Sequence, residues 1–253
     1  MKSIKLIFLF LLTVVSFSFI AGCASEDTGY GAFKGMTAPQ ILADGEKQLS
    51  KHNYSSASKR FEAIDALYPF AKEADQGGLD AIYAYYRADE IPSALAAADK
   101  YIHIYPQGKH TDYAYYMKGL INFDRGKSWS QKLHHTNEEQ RNLEYLQQAF
   151  SDFNDLVVMF PNSIYAKDAY ERMRYIKSLL AKHELEVADF YFERKAYVAA
   201  ANRADFVVKH FYGTPEAVDA LKIMIKSYRI LGAKQQEHDA LEILKYNYPN
   251  EKV

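Results

Sequence analysis

The sequence predicts an all-α fold, a right-handed superhelix of five helix-turn-helix repeats, on three observations. An aromatic residue followed by proline recurs along the chain: Tyr68-Pro69, Tyr105-Pro106, Phe160-Pro161 and Tyr248-Pro249, with Phe211-Tyr212 as a degenerate fifth pair. Fixed positions ahead of each aromatic carry packing residues. Eleven before it stand Ala57, Ala94, Ala149, Ala200 and, as the exception, Glu237. Seven before it stand Phe61, Ala98, Phe153, Ala204 and Leu241, and four before it Ile64, Tyr101, Leu156, Val207 and Leu244. These offsets share one face of an α-helix. The small residue permits close helix approach, the larger ones fill the seam, and proline ends the helix. Finally, Gln48, Tyr85, Tyr191 and Tyr228 stand 21 residues before Pro69, Pro106, Tyr212 and Pro249, marking a partner helix ahead of each.

Together these spacings match the tetratricopeptide pattern, whose repeat is roughly 34 residues. The period is 37 from Pro69 to Pro106 and again from Tyr212 to Pro249, while the middle intervals of 55 and 51 hold longer helices or insertions. The array occupies 37–253, with an insertion at 125–142. A stack of such units forms a concave face lined mainly by the first helix of each repeat, a surface suited to extended segments or partner domains.

Ahead of the array, Lys2 and Lys5 precede an uncharged apolar run from Leu6 to Ile20, closed by Ala21-Gly22-Cys23. A basic start, an apolar stretch and small residues at the cut describe a secretory signal peptide over 1–22. A cysteine just past the cut is the mark of a bacterial lipoprotein: Cys23 is expected to carry S-diacylglycerol and an N-acyl chain. The alternatives are a chance thiol beside an ordinary cleavage site, or an uncleaved anchor. The apolar run falls short of the roughly 20 residues that span a bilayer. Two or more acyl chains hold a protein stably on a membrane. Ala24 follows the cysteine in place of aspartate, which points to the outer membrane, on its periplasmic face. Residues 23–36 are polar and glycine-rich and read as a lipidated flexible stalk, with a typical reach of about 20 Å.

Loss of Lys2 and Lys5 with the leader moves the formal charge from −1 to −3. That balance argues against a nucleic-acid partner, which needs a basic face. Cys23 is the only cysteine, so no intramolecular disulfide supports the fold, and stability rests on packing. The 21 tyrosines and 15 phenylalanines supply large buried areas.

No catalytic, cofactor or metal constellation emerges, and the chain is read as non-enzymatic. His134-His135 lacks the i, i+4 spacing of a helical zinc site. No serine sits in a nucleophile elbow. The runs Tyr83-Ala84-Tyr85-Tyr86 and Tyr113-Ala114-Tyr115-Tyr116 put Tyr85 in the packing position, with neighbours free to line a groove. Tyr191 shares that packing position, and Arg203, beside one, reads as a surface or intrahelical ion-pair residue. The insertion carries Trp129, the only tryptophan, and is either a solvated excursion folded back on the array or a partner-binding arm.

A lipoprotein signal followed by five such units resembles the BamD family, the lipoproteins of the outer-membrane β-barrel assembly (Bam) machinery. The resemblance covers essentially the whole chain. It is carried by Tyr68-Pro69-Phe70, Ile82-Tyr83-Ala84-Tyr85-Tyr86, Ala149-Phe150-Ser151-Asp152-Phe153, Pro161-Asn162-Ser163 and Asn202-Arg203. Between Arg125 and Gln148 the sequence departs from the family pattern. The resemblance implies binding to the barrel-forming insertase subunit through the C-terminal repeats, and to other Bam lipoproteins and unfolded barrel substrates through the N-terminal ones. It makes Arg203 the family arginine that pairs with an insertase carboxylate, a role its planar fork suits. By the same resemblance Tyr191, Tyr68 and the adjoining Phe70 are partner-binding residues. The alternative is a general periplasmic adaptor lipoprotein of the same fold that recruits cell-envelope or peptidoglycan factors.

Overall fold

A computed structural model describes residues 29–125 and 142–253. Among them lie ten α-helices, and no strand. They are α1 (Ala38–Ser50), α2 (Tyr54–Leu67), α3 (Glu73–Arg87), α4 (Ile91–Ile104), α5 (Thr111–Arg125), α6 (Leu143–Met159), α7 (Ala166–Glu193), α8 (Tyr197–His210), α9 (Glu216–Leu231) and α10 (Lys234–Asn247). Consecutive helices pair as five repeats, each packed on the next. The leader, Cys23 and the insertion beyond Arg125 lie outside the described residues.

The repeat signature is the packing seam. Ala57, Ala94, Ala149 and Ala200 are fully buried, as are Phe61, Ala98, Phe153 and Ala204 at the next position. Ile64, Tyr101, Leu156, Val207 and Leu244 complete the stripe. Each closing aromatic caps its helix the same way: the N–H groups of Tyr68, Tyr105, Phe160, Phe211 and Tyr248 donate to the carbonyl four residues back at 2.7–2.8 Å. The fifth repeat differs as its sequence does. Glu237 takes the alanine position, lies only partly buried and accepts from Arg229 at 2.7 Å, while Ala240 fills the seam instead.

The partner position fixes the turn between the two helices. The carbonyls of Gln48, Tyr85, Tyr191 and Tyr228 accept from Asn53, Glu90, Ala196 and Ala233 at 2.9–3.0 Å. The residue before each donor, namely His52, Asp89, Lys195 or Gly232, is left-handed, with φ of 61–69°. That is a Schellman turn, which satisfies the last carbonyls of the first helix and aims the chain back along it. One residue position thus packs the first helix and closes its end.

Two repeats use a glycine to admit a phenylalanine. A Cβ on Gly45 would lie 2.5 Å from Phe61, and one on Gly119 would lie 2.5 Å from two ring atoms of Phe153. Both rings are buried, so neither can swing aside into water. Between repeats, tyrosines on first helices bind acids on the next: Tyr86 donates to Asp124, and Tyr116 donates to Asp168 at 2.8 Å.

The core falls into three clusters, one over α1–α5, one over the end of α5 with α6 and the first half of α7, and one over the second half of α7 with α8–α10. The 28-residue α7 belongs to the second and third, with Ile176 in one and Ala181 in the other. Its length accounts for part of the stretched middle interval.

The described part of the expected stalk is not free. Residues Gly31–Phe33 form a short 3-10 helix, Phe33 is buried under the Arg60 guanidinium, and the Tyr68 hydroxyl donates to the Met36 carbonyl at 2.6 Å. A hydrophobic side chain at every third position (Tyr30, Phe33, Met36) docks this segment on the first repeat. The glycines that suggested flexibility instead supply turns.

Gly119→Ala should lower the unfolding free energy by about 1–3 kcal/mol through overpacking against Phe153. The sign is informative, because Gly→Ala in an unobstructed helix interior adds about 0.5–1 kcal/mol. Urea unfolding followed by circular dichroism measures it, and a stabilised variant would contradict the Gly119–Phe153 contact.

Candidate partner-binding surfaces

The sequence-expected residues fall in two separate regions. Tyr68 and Phe70 stand at the junction of the first two repeats, while Tyr191 and Arg203 stand in the fourth. These regions belong to different core clusters.

At the first junction α2, α3 and α4 enclose a groove of about 1010 Å³. The Pro69-Phe70 turn puts Phe70 at its rim with the ring fully exposed, so no packing role accounts for it. Tyr85, Tyr101 and Tyr30 line the interior, with Glu62, Asp65 and Asp75 among them. Tyr85 donates to Glu62 and Tyr101 to Asp75. Burial, followed by those acceptors, raises both phenols well above the usual tyrosine range, so they stay neutral donors at any physiological pH. Lys100 is ion-paired with Asp65 across the groove. The result is an apolar channel with a weakly acidic lining. Tyr68 is not part of that lining: it packs on the core and ties down the N-terminal segment through Met36.

In the fourth repeat, Arg203 on α8 donates Nη1 to Glu184 Oε2 on α7 at 2.7 Å, so the pair crosses the two helices rather than lying within one. The Arg203 side chain is 40% exposed, and the bond to Glu184 uses only Nη1 of its fork. Asn202 beside it and Phe206 one turn on are exposed, giving an apolar and polar margin around the cation. Tyr191 sits near the end of α7 in the repeat's core, half-buried, with an edge-to-face contact to Phe190 at 5.7 Å. Phe190 is the more exposed ring of the two, and the Arg194 guanidinium lies 4.3 Å from its centroid.

Sequence reasoning missed Tyr30 and Glu184. Tyr30 lay hidden in a segment whose glycines dominated its reading, although the three-residue spacing to Phe33 and Met36 is a legible helical-turn signal. Glu184 carries no signal, because its pairing spans 19 positions. Among the described residues, no group of three or more His, Cys, Asp or Glu side chains is placed to hold a metal ion, and no helix is long and apolar enough to cross a membrane.

Away from both surfaces, Asp80 on α3 is partly buried, and its carboxyl is pushed up to about 6, mainly by desolvation and also by Glu46. Gln76 donates to it at 2.9 Å and offsets only part of that.

A family model described as YfiO, outer membrane lipoprotein, matches residues 34–243. A Neisseria meningitidis serogroup A protein named outer membrane protein assembly factor BamD is 34% identical over 94% of this chain and 91% of its own. Proteins of the same name are 30% identical in Vibrio cholerae, over 92% of this chain and 96% of theirs, and 35% identical in Pasteurella multocida, over 84% and 83%.

Because the folded pKa of Asp80 lies above the unfolded value of about 3.9, folding takes up a proton between those limits and stability falls as pH rises from about 4 to 6. Asp80→Asn should remove that slope and raise stability at pH 7.5 by about 1–2 kcal/mol, less than the full shift because the carboxyl is partly solvated. Thermal unfolding of both proteins across pH 4–8 tests this, and parallel pH profiles would refute it.

Proposed function

The chain belongs to the YfiO family of outer membrane lipoproteins, and on that premise we propose that it is a non-enzymatic scaffold of outer-membrane protein assembly. Cys23, acylated with S-diacylglycerol and an N-acyl chain, tethers it to the periplasmic face of the outer membrane. One surface, around Arg203, docks the barrel-forming insertase subunit. Another, the groove between the first two repeats, receives unfolded β-barrel substrates.

The observation that carries this reading is the fully exposed Phe70 at the rim of an aromatic groove of about 1010 Å³. A barrel strand is extended with apolar side chains on alternate positions, and grooves that take such segments offer pockets at that spacing. No bond chemistry is required, and the proposal assigns none. Arg203 supports the docking half by its exposure: one edge of the guanidinium is held by Glu184, and a partner carboxylate can take the remainder as a charge-assisted pair. Tyr191 and Tyr68 serve this scheme differently from Phe70. Tyr191 shapes the fourth repeat from within, and Tyr68 holds the N-terminal segment beside the groove.

Arg203→Glu, placed beside Glu184, should reduce recovery of the insertase subunit about tenfold or more on co-purification. Loss should deepen with rising salt in the wild type and be present at all salt concentrations in the variant. Undiminished recovery would remove Arg203 from the interface.

A further inference from the structure

The groove is not built from the repeats alone. Tyr30 lines it, carried there by the segment that leads from the acylated cysteine. Gly29 and Gly35 bracket this strap, with φ of 49° and 87°, conformations that suit glycine and set the chain direction at either end. Between them Phe33 is buried, and just past Gly35 Met36 is fixed through its carbonyl, so the strap is held at two points. Burial, followed by the negative charges of Glu62 and Asp65, raises the Tyr30 pKa and keeps the phenol a neutral donor. Only six residues of chain separate Cys23 from Tyr30, a span of at most about 24 Å when fully extended.

We propose that Tyr30 is a ligand-contacting side of this groove, so that the lipidated N-terminal segment is part of the binding site and not only its tether. This rests on the groove's being the substrate surface. The occupant is an extended segment of an unfolded barrel protein that carries an aromatic side chain next to a basic one. The exposed Phe70 and the rings of Tyr30, Tyr85 and Tyr101 take the apolar side chain. Charge selects the basic neighbour. Lys100 is paired with Asp65, and Lys72 reaches Glu73 at 3.8 Å, whereas Glu62 and Asp75 are met by tyrosine hydroxyls, which leave their negative charge in place. The short span from Cys23 holds this mouth close to the membrane surface, where barrel precursors are inserted.

The test uses the full mature lipoprotein in detergent micelles and a short fluorescein-labelled peptide with aromatic residues on alternate positions and one lysine. Anisotropy titration should show binding by the wild type, about tenfold weaker binding by Tyr30→Ala and binding within about threefold of wild type by Tyr30→Phe. Matched thermal midpoints separate the effect from misfolding, since Tyr30 lies at the edge of the core. Benzoylphenylalanine placed at position 30 should crosslink the peptide. Equal affinity for wild type and Tyr30→Ala, or no crosslink from position 30, overturns the role of Tyr30 and leaves the groove reading standing. No binding by the wild type, or equal binding of an all-polar peptide, overturns both.

Discussion

Everything in this molecule depends on how closely the second helix of each repeat lies against the first. Alanine at the first seam position of four repeats sets that distance, and every one of those alanines is fully buried. Close approach leaves no room for two large side chains at one level. Glycine therefore stands at Gly45 and Gly119 under Phe61 and Phe153. Without a disulfide, and with one cysteine expected to carry lipid, this packing is what maintains the shape of both candidate surfaces.

Much of the fold was legible because the seam residues recur at fixed offsets from an aromatic that also caps its helix. The aromatic's role is physical rather than statistical: its backbone N–H closes the last turn in all five repeats. The partner position was legible for a similar reason, since its carbonyl anchors the turn that follows. Glu237, the exception to the pattern, proved an exception in space, with Ala240 taking over its place in the seam. The docked strap was misread because Gly29, Gly31 and Gly35 resemble linker chemistry, while the burial of Phe33 depends on Arg60, far along the chain. The partner of Arg203 could not be read for the same reason: nothing local marks Glu184.

The middle of the array and the surface around Arg203 are joined by one element. Helix α7 contributes to the core of the middle repeats with its first half and to the C-terminal core with its second. Lys177 and Ser178 near its centre bond Tyr212 and Glu216, which belong to the C-terminal half. An unbroken helix of 28 residues is about 42 Å long, at 1.5 Å per residue. It holds the C-terminal repeats at a fixed spacing from the middle of the array.

The most direct measurement is site-specific photocrosslinking in living cells from two exposed positions, Phe70 at the groove rim and Val198 on α8. Capture of unfolded outer-membrane barrel proteins from position 70 and of the insertase subunit from position 198 is the expected result. Capture of peptidoglycan or other envelope factors from both positions, with neither barrel precursors nor insertase among them, would contradict the scaffold function.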